Sequence, residues 1–159
     1  MQGPPRAPHR PFPRTGMPAL AALLLALVPA LAWAQVKPFS TEPAAFLQDV
    51  NTLMVDADKK EGRAFMERTF TPVWNGGFLD AARQRRVIDV ANFMQKKRFD
   101  AFPHFRDYFA AVAAFPAGGR STAEFDAWMQ GMEQLVEKGR KQNVAAFIAM
   151  CRNLFAHQV

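Results

Sequence analysis

From residue 43 onward, apolar residues recur at the three- and four-residue spacing of helix faces. Phe105, Tyr108, Phe109, Val112 and Phe115 fall at 0, 3, 4, 7 and 10, and Phe125, Trp128, Met129, Met132, Leu135 and Val136 at 0, 3, 4, 7, 10 and 11. Val144, Phe147, Ile148, Cys151, Leu154 and Phe155 repeat the pattern over about 143–156. Upstream, Phe46, Leu47, Val50, Leu53 and Met54 make one face of a helix starting near Pro43. Met66, Phe70, Val73 and Trp74 do the same for a second helix, Lys59 to Trp74. The segment Asp80–Arg98 is broader, with Ile88 and Phe93 flanking a stripe of Val87, Val90, Ala91 and Met94. A helix apolar over more than half its circumference wants neighbours on more than one side. This segment is therefore expected to be the central helix of an all-α domain.

The boundaries carry their own chemistry. Pro is well tolerated at a first helical position, which suits Pro43 and Pro103. Asp58 and Asp80 are placed as N-caps. Ser121 and Glu124 form a capping box. Pro72 should kink or loosen the last turn of the second helix, because it lacks a backbone donor. Asn75-Gly76-Gly77, Pro116 with Gly118-Gly119, and Gly139 act as stops. No segment alternates like a strand. Short connections favour antiparallel neighbours, so about six amphipathic helices are expected in three antiparallel hairpins. The two Gly-Gly pairs lie 42 residues apart, a period that two-helix solenoids share. A compact bundle and a short α-solenoid both fit the pattern.

The first 34 residues read differently. A stretch rich in Pro and Arg leads into the apolar run 18–34, which ends Ala32-Trp33-Ala34. This is the layout of a secretory signal peptide cleaved after Ala34. The run contains Pro29 and is short for a membrane span, which needs about 20 residues. The expected organisation is a leader over 1–34, an extended lead-in over 35–42 and one α-helical domain over 43–159. Export by a Sec-type route would leave the product periplasmic or secreted.

The leader changes what the charge means. The chain carries +6, and losing Arg6, Arg10 and Arg14 with the leader leaves +3. That is an ordinary surface and no argument for nucleic acid. The remainder keeps 14 of the 15 Phe, and burying each contributes about 1.5–3 kcal/mol. The single cysteine, Cys151, excludes an intrachain disulfide, CxxC redox chemistry and c-type haem attachment.

Candidate chemistry is sparse. Cys151 lies on an apolar stripe and reads as a core residue. A nucleophilic role would need a base such as His104 or His157, and neither sits in a motif. Two isolated histidines do not make a metal site. No cofactor is expected. The acids Asp49, Asp56, Asp58, Glu61 and Glu67 alternate with Lys59, Lys60, Arg63 and Arg68, as on a solvated helix surface. The segment Asp80–Asp107 concentrates basic residues beside Phe99, Phe102 and Phe105. Arg83, Arg86, Lys97, Arg98 and Arg106 are its candidate contacts for an anion or partner. Dipole compensation at the end of the central helix accounts for part of that charge.

The residues Phe70, Val73-Trp74-Asn75, Lys97-Arg98-Phe99, Phe102-Pro103, Phe105 and Asn153-Leu154-Phe155 support a resemblance. From about residue 45 to 155, the chain resembles the N-terminal helical region of very large exported bacterial proteins of unassigned function. The resemblance implies a helical fold and no site residues. The expected function is an exported helical scaffold or binding module holding a protein or polymer partner. The alternative is the non-catalytic N-terminal portion of a larger secreted enzyme or surface protein. A small enzyme ranks below both, because no nucleophile–base pair, ligand set or phosphate loop is visible.

Overall fold

The computed structural model describes residues 37–97, 102–138 and 141–156. The leader expected over 1–34, Arg98, Phe99, Gly139 and His157 lie outside the described residues. The helices are α1 (Pro43–Ala57), α2 (Lys59–Phe65), a π-helical turn (Met66–Phe70), α3 (Thr71–Asn75), α4 (Ala81–Lys96), α5 (Phe102–Ala117), α6 (Thr122–Lys138) and α7 (Lys141–Ala156). Segments α2, π turn and α3 follow without a break, so the described residues form six helical rods. The described residues contain no strand, and the rods form a compact all-α bundle.

The caps explain where the helices begin and end. Pro43 opens α1. The Asp58 carboxylate accepts from the backbone N–H groups of Lys60 and Glu61 at 3.0 and 2.8 Å, starting α2. Asp80 accepts from Arg83 N–H at 2.8 Å and starts α4. At α6 the capping box closes in both directions. Glu124 N–H donates to Ser121 Oγ at 3.3 Å, and Ser121 N–H donates to the Glu124 carboxylate at 2.7 Å. α5 ends in a Schellman turn: Gly119 N–H reaches Pro116 O, and Arg120 N–H reaches Phe115 O at 2.9 Å. Gly119 takes φ +66°, a left-handed conformation that favours glycine.

The sequence places the loosening of the second helix at Pro72. The structure puts it one turn earlier, where Thr71 N–H reaches back five residues to Met66 O. A wider turn there accommodates a proline that cannot donate to the preceding turn.

The larger correction concerns the centre of the fold. α4 buries Val87, Ile88, Val90, Ala91 and Met94 but exposes Arg85, Asp89 and Lys96. In α5, every residue from Asp107 to Phe115 is buried. α5 is therefore the central helix. Its alanines at 110, 111, 113 and 114 let neighbouring rods approach on the sides away from its aromatic stripe. Phe109 meets Phe39, Phe46, Phe70 and Phe105. Tyr108 faces Trp128 of α6 and Phe147 of α7, and its hydroxyl donates to Val87 O of α4 at 3.0 Å. Phe115 continues the aromatic packing onto Phe125 and Trp128.

α2 packs closely on α1. Gly62 makes this possible, since a β-carbon there would overlap the Met54 carbonyl. Of the three expected hairpins of consecutive rods, α1 with α2 and α6 with α7 pair closely, but α4 packs on α6 rather than α5, and α5 packs on α7, because α5 lies buried in the middle. The lead-in is fastened as well. Phe39 is buried, Phe39 N–H donates to Gln95 Oε1 at 3.1 Å, and Ser40 N–H donates to Asp49 Oδ2 at 2.8 Å.

Candidate functional site

The five basic residues singled out by sequence fall in different settings. Arg83 and Arg86 stand one turn apart on α4 and both reach α6. Arg83 Nε and Nη2 donate to the two Asp126 carboxylate oxygens at 3.0 and 2.7 Å. Arg83 also holds Asp80 at 2.7 Å. Arg86 grips Glu133 through Nε and Nη2 at 2.8 and 3.1 Å and touches Asp126 at 3.3 Å. Such forked pairs are directional. The hydrogen bonds from Arg83 hold the Asp126 carboxyl below its ordinary range, and both guanidinium groups lie above theirs. These two cations already have carboxylate partners. Lys97 caps α4, with its ammonium 5.4 Å from the Phe93 ring centre. Arg106 is exposed on α5, and its nearest carboxylate in an ion pair is Asp107 at 3.9 Å.

A second basic surface is the α2 face, which the sequence presents as a solvated face of mixed sign. Lys59, Lys60, Arg63 and Arg68 line one shallow depression with Ala64 and Glu67, about 550 Å³ in volume. Three of the five acids that alternate with them in sequence have other contacts. Asp49 accepts from Ser40 N–H, Asp58 caps α2, and Glu61 lines a different cleft. Among the described residues, no ion pair engages any of the four cations. The π turn contributes to their grouping. In an α-helix, residues five apart point about 140° away from each other, and a wider turn brings Arg68 back toward the Arg63 side. No pattern in the sequence announces that turn.

The remaining candidates are chemically quiet. Burial pushes the Cys151 thiol up to about 12, with Asp107 adding to the effect. It is therefore a protonated core group at neutral pH. His104 is half-buried, and its Nδ1 has no hydrogen-bond partner. Asp107 is the buried charged residue of α5, reached by Arg152 Nε at 3.4 Å. Among the described residues, no group of three His, Cys, Asp or Glu side chains could hold a metal ion. No described helix is long and apolar enough to cross a membrane.

Compared with known protein families, curated proteins and solved structures, the chain matches none of them.

Proposed function

We propose that this chain is a helical binding module that holds an anionic polymer against the α2 face. One observation carries this reading. Four cations share a surface depression with a single carboxylate residue, Glu67, and form no ion pair among the described residues. Arg83 and Arg86 are paired with carboxylates of α6, whereas no ion pair among the described residues engages these four cations. Unpaired surface charge attracts an opposite polymer at long range, and salt screens the attraction within about 10 Å at 0.1 M. A polyanion suits an elongated cationic surface better than a compact ligand does, because the depression is shallow.

The test is retention of the purified chain on an immobilised sulfated polysaccharide at low salt. Retention that fades with added salt supports the reading, and elution with the void volume sinks it. The same reading places the module outside the cytoplasm, on the strength of the basic, apolar and Ala-x-Ala layout of residues 1–34. The intact mass of the exported product tests that part. A product lacking residues 1–34 supports export with cleavage, and a product retaining them in full overturns it.

A further inference from the structure

A cleft of about 350 Å³ opens between the α1–α2 corner and the start of α5. Its apolar lining includes Met54, Phe65 and Phe102. Its charged residues are Asp58, Glu61 and Arg106. These charges are not equivalent. Asp58 uses one carboxylate oxygen, Oδ1, on the backbone N–H groups of Lys60 and Glu61. Glu61 forms no ion pair among the described residues, and Arg106 has only the loose 3.9 Å contact with its chain neighbour Asp107. Glu61 and the half-engaged Asp58 therefore share an apolar cleft with a nearly unengaged guanidinium, and no ion pair joins either acid to Arg106. The volume lies at the small end of the range for ligand pockets. Gly62 keeps the corner in place by allowing α2 to lie on the Met54 carbonyl.

We propose that this cleft binds a small zwitterion with an apolar body, of the free apolar α-amino acid class. Its ammonium meets Glu61, its carboxylate meets Arg106, and its side chain covers Met54, Phe65 and Phe102. A ligand carrying one charge leaves the opposite protein charge facing an apolar body, so both ligand charges count. The inference uses residues other than the four cations of the α2 face, and it can fail while that reading stands.

Calorimetric titration of the full chain with L-phenylalanine tests it, beside 3-phenylpropanoate and phenethylamine, which each keep one charge. The expected result is saturable binding of the amino acid, with each analogue weaker by about tenfold or more, the usual effect of losing a hydrogen bond to a charged group. Glu61→Gln and Arg106→Gln should each weaken L-phenylalanine similarly. Both positions are exposed, so the variants should keep the helical circular dichroism of the parent. Glu61→Gln should also bring the amino acid and 3-phenylpropanoate to similar affinity. Absence of saturable binding, analogues that bind as well as the amino acid, or variants that bind like the parent would each overturn the assignment.

Discussion

At the scale of single residues, the core is specified by a few groups with no room to change. The Tyr108 hydroxyl is fully buried and donates to Val87 O, and burial raises its pKa well above the ordinary range. Tyr108→Phe removes that bond but keeps the ring, and should cost about 1 kcal/mol by denaturant titration. A loss indistinguishable from zero would mean the hydroxyl is not bonded as described. Gly62→Ala asks for space that the Met54 backbone already occupies. Forcing α2 off α1 should cost about 1–3 kcal/mol, the usual range for overpacking. Cys151, with its thiol held near 12, should react with iodoacetamide far more slowly in the folded chain than in urea. Rapid labelling of the native chain would contradict its burial.

At the scale of elements, the legible signals were those written in local chemistry. Asp58, Asp80 and the Ser121–Glu124 box cap the helices expected from sequence, because a capping residue acts within three positions of itself. The site of the π turn was not legible, since Pro72 shows that something must yield but not which turn does. The burial of α5 was obscured by its alanines. Alanine contributes little to an apolar stripe, yet at 110, 111, 113 and 114 it is what allows packing on all sides. Phe39, in a lead-in without periodicity, proved to be a core residue. The α4–α6 strap carries a pH signature. Asp126 has a folded-state pKa below the unfolded value of about 3.9, chiefly through the hydrogen bonds from Arg83. Its contribution is present above that unfolded value and is lost as pH falls through the folded one. Thermal stability should therefore drop below about pH 4, and Asp126→Asn should flatten part of that drop. A variant with the same acid profile as the parent would remove Asp126 from the account.

At the scale of the whole molecule, charge is divided between a neutralised seam and an open face. The sequence shows basic residues in both places and cannot tell them apart, because pairing depends on which rods touch. Arg83 and Arg86 find their carboxylates 40 or more residues away on α6, with α5 between the two helices only in chain order. The sequence therefore points to Arg83, Arg86, Lys97, Arg98 and Arg106 as candidate contacts and treats Lys59, Lys60, Arg63 and Arg68 as an ordinary solvated face, because spacing alone does not show which charges find partners. The central claim is that the free charges on α2 make the binding face. The most direct test compares two variants of equal charge loss against a sulfated polysaccharide: Lys60→Gln with Arg63→Gln, and Arg83→Gln with Arg86→Gln. The first pair should weaken binding strongly while leaving the fold intact, and the second should lower stability but leave binding near that of the parent. Equal loss of binding in both, or loss confined to the second, would contradict that claim.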